Sequence, residues 1–332
     1  MKTITDSDKY KNFIMSKLRA SIDLGSHTAR LLIASDPIAG EAIRAIERRR
    51  EYIYLAEYIS KNVKNVLGPE ALTHTLGVLN NFLGVIKTYK VDSIEAIGTG
   101  VIRQARNRDE FLGRIYEDTG ISIRPVSGDE EAQLTAKGAL NALSVESVPF
   151  MIFDLGGGST EFFFGCDKTT TVKSLPLGAA VLTNGYLNSD PPDDPEIKSL
   201  TDYVCQTLNE GLPAGDDWKN LLVIGTGGTV TTLAMMIQGF SEQEVNPERI
   251  NGLALTSRQI KDAFDTVRKI NLDKRLKMPG LDEGRAGVIV AGALVVINIL
   301  DFFKSVQLKV SMSDLLEGIL LGYIDGGHNG KR

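Results

Sequence analysis

The sequence predicts an α/β protein built from two similar domains that flank a cleft. Two short loops look like copies: residues 23–28 are Asp-Leu-Gly-Ser-His-Thr, and residues 154–161 are Asp-Leu-Gly-Gly-Gly-Ser-Thr-Glu. Each lies between two apolar runs, which is typical of a strand, a tight turn and a second strand. The motif Ile-Gly-Thr-Gly also occurs twice, at 97–100 and at 224–227, in the same order and at nearly the same offset. We therefore expect a duplicated unit whose phosphate-type loops face each other across the cleft.

The length of 332 residues is consistent with two domains of about 150 residues each. We expect them to span residues 1–145 and 146–332, with the last helix packing back on the first. Hydrophobic periodicity then assigns the elements of each domain in order. In the first we expect a hairpin over 19–36, strands over 44–55, 93–97 and 122–125, and helices over 69–89, 101–116 and 129–143. In the second we expect a hairpin over 150–164, strands over 170–175, 221–224 and 305–310, and helices over 182–187, 196–208, 229–239, 257–269, 282–300 and 314–324.

Composition excludes several classes of protein. The net charge of −5 argues against a nucleic-acid binder, and two cysteines without paired spacing indicate a reduced compartment. The polar segment 1–17 lacks the apolar core of a signal peptide, and the apolar run 288–300 is too short to span a bilayer. We therefore expect a cytoplasmic protein with no nucleic-acid or membrane partner, and a buried helix at 288–300.

The two Asp-Leu-Gly loops suit phosphate chemistry. A glycine-rich turn exposes consecutive N–H groups that bind phosphate oxygens, and neighbouring Ser and Thr hydroxyls add donors. Asp23 and Asp154 end the strands before the turns, where carboxylates can hold Mg²⁺ as hard oxygen ligands. One such loop would fit an ordinary hairpin equally well, but two in the same arrangement favour phosphate. The absence of G-x-x-x-x-G-K-[ST] excludes a P-loop.

Charged residues near these motifs are the candidates for catalysis. Arg103 follows the first Ile-Gly-Thr-Gly junction and is placed to bind phosphate at a helix start. Ser127 and Glu130 form a predicted capping box, which leaves Glu131 without a structural role. Glu131 then has two possible interpretations. It is either a base that acts on water or a solvent-exposed acid in the first turn of a helix. Glu161 lies in a strand among phenylalanines, where an acid indicates a polar or metal site.

These motifs resemble the exopolyphosphatase/guanosine pentaphosphate phosphohydrolase (Ppx/GppA) phosphatase family, which has the actin-like (ribonuclease H-like) ATPase fold. The resemblance runs from about residue 20 to 324, and its most specific part is Ser-Gly-Asp-Glu-Glu-Ala at 127–132. It implies Mg²⁺-dependent hydrolysis of a terminal phosphoanhydride, with Glu131 as the catalytic base and Mg²⁺ or another divalent ion as cofactor. The metal ligands are then expected to be Asp23, Asp154 and Glu161. The expected phosphate-binding residues are Gly25, Ser26, His27, Arg103, Gly156, Gly157, Gly158, Ser159, Thr160, Gly227, Gly228 and Thr229.

Two positions depart from the family pattern. His27 replaces a usual Asn, and Val181 replaces a usual Arg, a change expected to weaken binding of long polyphosphate or to shift chain-length preference. The chain resembles the short two-domain form of the family, and a homodimer is compatible with it. The leading hypothesis is an exopolyphosphatase. The alternatives are a guanosine pentaphosphate 5′-phosphohydrolase, a non-catalytic nucleotide or polyphosphate sensor and, more weakly, an actin-like sugar kinase.

Overall fold

The computed structural model describes residues 17–37, 42–55, 58, 65–143, 149–166, 169–213, 221–241, 244, 246–281 and 283–329. The chain divides into two compact units, residues 1–141 together with 314–332, and residues 142–313. The predicted boundary at 145/146 and the segment 1–16 lie outside the described residues. The last helix belongs to the first unit.

The first unit contains a five-stranded mixed sheet with the order β3-β2-β1-β4-β5. Its strands are β1 (Leu18–Leu24), β2 (Thr28–Ser35), β3 (Arg44–Tyr52), β4 (Ser93–Gly98) and β5 (Ile123–Pro125). The strands β1, β2 and β3 pair antiparallel, whereas β4 and β5 continue the sheet in parallel with β1. The parallel pairing brings the end of β1 beside the end of β4, so the first Asp-Leu-Gly loop lies next to the first Ile-Gly-Thr-Gly motif.

Helices cover both faces of this sheet. They are α1 (Pro69–Tyr89), α2 (Gly100–Gln104), α3 (Arg108–Thr119), α4 (Gly128–Leu143) and the C-terminal α13 (Leu315–Asn329). Alternate residues of β2 enter different cores, because side chains alternate along a strand. Leu31 and Ile33 join the core beneath α1, and Leu32 and Ala34 join the core beneath α13.

Two glycines let α4 and α13 touch through their backbones. A Cβ added to Gly138 would lie 1.9 Å from the carbonyl oxygen of Asp314, and one added to Gly318 would lie 1.8 Å from that of Leu134. Only glycine allows such a close approach. The crossing holds the helix that carries Glu131 against the C-terminal helix.

The second unit contains a six-stranded mixed sheet with the order β10-β11-β9-β6-β7-β8. Its strands are β6 (Phe150–Leu155), β7 (Thr160–Cys166), β8 (Thr169–Leu175), β9 (Leu222–Thr226), β10 (Ala254–Thr256) and β11 (Gln307–Val310). The hairpin β6–β7 continues antiparallel into β8, and β9 runs parallel to β6. The central arrangement of hairpin and parallel strand therefore repeats that of the first unit.

The helices of the second unit surround one large apolar core. They are α5 (Ala179–Tyr186), α6 (Asp194–Gly211), α7 (Gly228–Gln238), α8 (Pro247–Ile250), α9 (Ser257–Val267), α10 (Leu272–Arg275), α11 (Glu283–Ala286) and α12 (Ile289–Phe302). The residues of α12 are buried from Ile289 to Leu300, which confirms the buried helix expected at 288–300. Within the described residues, every helix is too short or too polar to cross a membrane.

Two predicted helices are interrupted in the structure. The helix expected over 101–116 is divided between α2 and α3, because Ala105 has extended dihedrals and the Asn107 side chain bonds both the N–H and the C=O of Leu67. The helix expected over 282–300 is divided between α11 and α12 around Gly287. The strand expected over 44–55 ends at Tyr52, since Tyr54 has a positive φ of 46°.

Candidate active site

The first Asp-Leu-Gly loop is a four-residue turn, residues 25–28, between Leu24 and Ala29, which are paired in register. The N–H of Gly25 donates to the carbonyl of Thr28 at 3.0 Å and closes the turn. Within the described residues, the N–H groups of Ser26 and His27 have no protein acceptor. The turn therefore presents free backbone donors, as a phosphate-binding loop requires.

A network of hydrogen bonds surrounds Asp23 at the end of β1. The Arg30 guanidinium donates to its Oδ2 through Nε and Nη2, at 3.0 and 2.9 Å. Its Oδ1 accepts from the Thr99 hydroxyl at 3.2 Å. Arg30 also donates from Nη1 to Asp314 Oδ2 at 2.6 Å, so it joins the hairpin to the start of α13. Both carboxylate oxygens of Asp23 are thus occupied by protein donors.

The first loop is also tied to the start of α2. The Ser26 hydroxyl accepts from the N–H of Val101 at 3.0 Å. Gly100 has a positive φ of 48°, and a Cβ there would lie 2.2 Å from the Ser26 Oγ. The Asp-Leu-Gly loop and the Ile-Gly-Thr-Gly motif are therefore one connected structure in this unit.

Glu131 and Arg103, which the sequence analysis assigned separately, lie together. The Arg103 Nη1 donates to the Glu131 Oε2 at 2.8 Å and contacts the Val126 carbonyl at 3.3 Å. Both side chains are about one-third exposed. The pair holds an accessible carboxylate in one orientation at the first turn of α4.

The neighbouring Glu130 has a purely structural environment. Its N–H donates to the Ser127 hydroxyl at 3.1 Å, which forms the first half of the predicted capping box. Its carboxylate pairs with Arg124 at 2.7 Å on the surface. The two adjacent acids therefore differ, since the Glu131 carboxylate pairs with Arg103, whereas the Glu130 carboxylate pairs with Arg124 and does not complete the capping box.

The second Asp-Leu-Gly loop repeats the turn of the first. The N–H of Gly156 donates to the carbonyl of Ser159 at 3.0 Å. Gly157 and Gly158 are exposed, and in the described part of the chain their N–H groups and that of Ser159 have no acceptor. This turn offers three consecutive backbone donors to an anion.

The carbonyl side of this loop is held by α5. The N–H groups of Ala179 and Ala180 donate to the carbonyls of Gly156 and Gly157, each at 3.0 Å. A Cβ on Gly178 would lie 2.2 Å from the carbonyl carbon of Gly158, so the loop rests directly on the glycine. The contact leaves the N–H side of the turn facing away from α5. Val181, in the first turn of α5, also donates its N–H to the Gly157 carbonyl at 3.1 Å, and its side chain is 54% exposed.

Four oxygen-bearing side chains form a row across the second sheet. Asp154 is paired in register with Glu161 on one side and with Thr226 on the other, and Glu161 is paired with Ser174. Glu161 Oε1 accepts from the hydroxyls of Ser159 and Ser174 at 2.6 and 2.9 Å. Residues in register point to the same face of a sheet, so the row places two carboxylates side by side.

The oxygen-bearing side chains of this row are the kind of ligand that a magnesium ion binds. Two neighbouring carboxylates repel each other, and a hard divalent cation prefers oxygen ligands of this kind. Asp154 and Glu161 therefore fit Mg²⁺, whereas the oxygens of Asp23 are already bonded to Arg30 and Thr99. Among the described residues, His, Cys, Asp and Glu do not gather in groups of three that would hold a metal by themselves.

The loop between β9 and α7 carries the remaining predicted phosphate contacts. Gly227 has a φ of 93°, and a Cβ there would lie 2.6 Å from the Leu155 carbonyl and 2.8 Å from the Asp154 Oδ1. A Cβ on Gly228 would lie 2.3 Å from the Arg285 Nη2. The loop thus packs against the Asp-Leu-Gly loop on one side and against a guanidinium on the other.

Two predicted hydroxyl donors have buried environments. Thr160 donates to the Leu177 carbonyl at 2.8 Å, and the Thr229 side chain packs against Gly292 of α12. A direct contact of either hydroxyl with phosphate stays a prediction, as do the assignments of Gly25, Ser26, His27 and the glycines of the second unit.

Sequence reasoning missed two cations of the site. It gave Arg30 no role, although Arg30 stands seven residues after Asp23, as Glu161 stands seven after Asp154. Recognising that both hairpins have the same loop length would have identified it. Arg285 lies in α11, far along the chain from any glycine motif, and only the tertiary fold brings it to Gly228.

Two similar α/β units, each with a glycine turn between two strands of its hairpin, are the architecture expected of the actin-like ATPase fold. The profile of the Ppx/GppA phosphatase family matches residues 34–326, so the chain belongs to that family. A family member from Aquifex aeolicus has a solved structure that is 30% identical, with a TM-score of 0.81 over 94% of this chain and 98% of its own. A nucleoside triphosphate hydrolase from Neospora caninum is 11% identical with a TM-score of 0.58, over 94% of this chain and 93% of its own, and shares the fold. The chain has the expected actin-like ATPase fold.

Curated relatives match along nearly the whole chain. The bifunctional 3-dehydroquinate synthase/phosphatase of Fusobacterium nucleatum is 33% identical over 328 residues, which cover 95% of this chain and 47% of that protein. The chain therefore spans about half the length of that relative. Exopolyphosphatase 2 of Mycobacterium tuberculosis is 28% identical over 317 residues, 91% of this chain and 97% of its own length.

Proposed function

We propose that the protein is a Mg²⁺-dependent exopolyphosphatase that removes the terminal phosphate of inorganic polyphosphate as orthophosphate. Membership of a phosphatase family and the name of the mycobacterial relative support this proposal. The observation that carries it is the pair Asp154 and Glu161, which lie side by side next to a loop with three N–H groups that have no acceptor among the described residues. That combination suits a phosphate chain and a divalent cation together.

Each group then has a distinct role. Asp154 and Glu161 would hold Mg²⁺, which would supply positive charge to neutralise the phosphate groups. The N–H groups of Gly157, Gly158 and Ser159 would bind the terminal phosphate, and Arg285 would add positive charge beside Gly228. Phosphoryl transfer depends mainly on such positioning and charge neutralisation, so the protein need not form a covalent intermediate.

Glu131 is the proposed base for the attacking water. Its carboxylate is accessible and is held at 2.8 Å by Arg103, which itself carries a positive charge suited to a phosphate oxygen. A fixed carboxylate can accept a proton from water as the water attacks phosphorus. The role of Arg103 is therefore double, to orient the base and to contact the substrate.

The test compares Glu131→Gln with Glu130→Gln. Phosphate release is measured from long polyphosphate, tripolyphosphate and guanosine pentaphosphate, with Mg²⁺ and after chelation by EDTA. We expect Glu131→Gln to lose about 10²–10⁴-fold in kcat, the usual contribution of a general base. The matched control Glu130→Gln, whose side chain pairs with Arg124, should keep wild-type activity.

The same assay separates the alternative functions. Faster release from guanosine pentaphosphate than from either polyphosphate would favour the nucleotide phosphohydrolase. No release from any of the three would favour a sensor. Full activity of Glu131→Gln would refute the assignment of the base, and full activity in EDTA would refute the metal.

A further inference from the structure

Three arginines lie close together in the sequence where α2 meets α3. Arg103 is in the last turn of α2, Arg106 lies in the connection, and Arg108 is the first residue of α3. Acidic side chains are favourable at the start of a helix and basic ones are not, because the backbone dipole is positive there. The first-turn acids Asp109 and Glu110 follow this rule. Arg106 and Arg108 do not, so the stability of α3 does not explain them.

The Arg108 guanidinium is held beside the end of α2. Its Nη1 group lies 3.4 Å from the Arg103 carbonyl oxygen, and its Nε group donates to Asp109 Oδ1 at 3.1 Å. The Asp109 side chain is 89% exposed, so solvent screens this ion pair and leaves it weak. In the described part of the chain, the Nη2 group of Arg108 has no partner. The arginine that orients Glu131 therefore has a second guanidinium close to its own backbone.

Arg106 is exposed, and its guanidinium bonds none of the described residues. Its backbone is nevertheless fixed, since its N–H donates to the Asn65 carbonyl at 2.8 Å. The side chain of the following Asn107 bonds both the N–H and the C=O of Leu67, at 3.0 and 2.9 Å. The connection between the helices is thus held by the polar bonds of other groups, which leaves the Arg106 guanidinium available to an anion.

We propose that Arg106 and Arg108 bind the distal phosphates of a long polyphosphate chain whose reacting end contacts Arg103. Each internal phosphate carries a negative charge, and a guanidinium binds phosphate oxygens through paired N–H donors. In the proposed function the reacting end lies at Arg103 and Glu131, so a short substrate ends there, whereas a long chain continues over the adjoining surface. The inference rests on the proposed function for the position of that end. It adds a preference for long chains, which the reacting groups alone would not give.

The test compares long-chain polyphosphate with tripolyphosphate as ligands in isothermal titration calorimetry. EDTA is present, because it removes the metal that hydrolysis needs in the proposed function. We expect the double variant Arg106→Gln/Arg108→Gln to bind long polyphosphate about tenfold more weakly, and each single variant about threefold more weakly. Binding of tripolyphosphate should weaken less than about twofold in all three. With Mg²⁺, the KM of the double variant for long polyphosphate should rise about tenfold, because a distal contact is equally strong in the ground and transition states.

Two controls separate a specific subsite from a general loss of positive charge. Arg114→Gln removes a charge from the exposed surface of α3, where Arg114 lies 3.6 Å from Glu117, and it should bind both ligands like wild type. The double variant Arg106→Lys/Arg108→Lys keeps both charges and should retain most of the affinity for long polyphosphate. Raising the ionic strength should reduce the difference between wild type and the double glutamine variant, since salt screens exposed charges.

The outcomes separate this inference from the proposed function. Binding of long polyphosphate by the double glutamine variant as tight as by wild type would overturn the inference, even if polyphosphate is hydrolysed. An equal loss in Arg114→Gln, or an equal loss for tripolyphosphate, would overturn it as well. A loss confined to long polyphosphate, without any release of phosphate, would support the subsite and refute the exopolyphosphatase. Circular dichroism checks the fold of each variant, and the single variant Arg106→Gln, at an exposed position, decides the matter if Arg108→Gln unfolds.

Discussion

The two hairpins of this protein have the same backbone and opposite chemistry. Both loops have four residues and close with a glycine N–H to carbonyl bond of 3.0 Å. In both, the residue seven positions after the aspartate lies opposite it on the neighbouring strand. That residue is Arg30 in the first hairpin and Glu161 in the second. The first aspartate therefore accepts hydrogen bonds from an arginine on the neighbouring strand, whereas the second lies opposite another carboxylate.

The contrast extends across each sheet. In the first unit, the row through Asp23 contains Arg50, Arg30 and Ile97, and it is cationic. In the second unit, the row through Asp154 contains Ser174, Glu161 and Thr226, and every member offers oxygen. The same arrangement of strands thus carries a cationic row in the first unit and a row of oxygen-bearing side chains in the second.

The neighbouring parallel strand is shifted between the units. Asp154 lies opposite Thr226, whereas Asp23 lies opposite Ile97, two residues before Thr99 of the equivalent motif. A shift of two residues preserves the face on which side chains point. Thr99 still reaches Asp23 by a hydrogen bond of 3.2 Å from beyond the end of β4. The register differs while the contact between hydroxyl and carboxylate is kept.

The largest expected effect comes from copying the first hairpin into the second. Glu161→Arg should place a guanidinium opposite Asp154 and lower kcat by about 10³-fold, because the second carboxylate is replaced by a positive charge. The free energy of unfolding should stay within about 1 kcal/mol of wild type, since an opposite-charge pair replaces a like-charge pair. Phosphate release and urea unfolding measure the two quantities. An active Glu161→Arg protein would show that the two rows do not differ in function.

Removing each aspartate charge should separate stability from activity. Asp23→Asn should lower the free energy of unfolding by about 3 kcal/mol, because it removes the charged carboxylate that accepts two hydrogen bonds from the largely buried Arg30. Asp154→Asn should cost less stability than Asp23→Asn, because it relieves the repulsion from Glu161 on the neighbouring strand, while it abolishes most phosphate release. Urea unfolding of both variants checks this, and equal losses of stability would contradict the contrast.

Gly178, against which the second loop packs, allows a test of whether the position of that loop matters for activity. Gly178→Ala should displace the loop 156–159, since the new Cβ would lie 2.2 Å from the Gly158 carbonyl carbon. We expect kcat to fall about 10²-fold, as for a misplacement of about 1 Å. The control is Gly185→Ala in the same helix, where a Cβ would meet nothing within 4 Å. Equal activity of the two variants would show that the position of the loop is unimportant.

The smallest expected effect is a dependence of the free energy of unfolding on pH, caused by Glu317 in the first unit. Burial raises the pKa of Glu317 above its ordinary value, although Arg48 opposes the shift. A carboxyl with a raised pKa stabilises the fold fully below its unfolded value and less as the pH rises through its folded value. The free energy of unfolding of wild type minus that of Glu317→Gln should therefore fall as the pH rises above the ordinary carboxyl range and through the raised pKa of Glu317. A difference that grows with pH would contradict this account.

Local patterns in the sequence predicted the hairpins and their aspartates, because a glycine turn between two apolar runs needs no distant partner. The buried helix α12 was predicted for the same reason, from its uninterrupted apolar composition. The division of residues 101–116 into two helices was not, since it depends on the Asn107 side chain bonding Leu67.

Side-chain directions in the site depend on packing that the sequence does not display. Thr160 and Thr229 carry the right hydroxyls, but Leu177 and Gly292 determine where those hydroxyls point. Arg285 was missed because it reaches Gly228 only through the fold. Glu131 and Arg103 were found separately, 28 residues apart, and their contact required the structure.

The central claim is that the second hairpin, and not the first, holds the divalent cation. Mn²⁺ serves as a probe, and its binding to wild type, Glu161→Gln and Arg30→Gln is measured by isothermal titration calorimetry. We expect Glu161→Gln to weaken binding at least tenfold and Arg30→Gln to bind like wild type. Unchanged binding by Glu161→Gln would contradict the claim, and so would a loss of binding confined to Arg30→Gln.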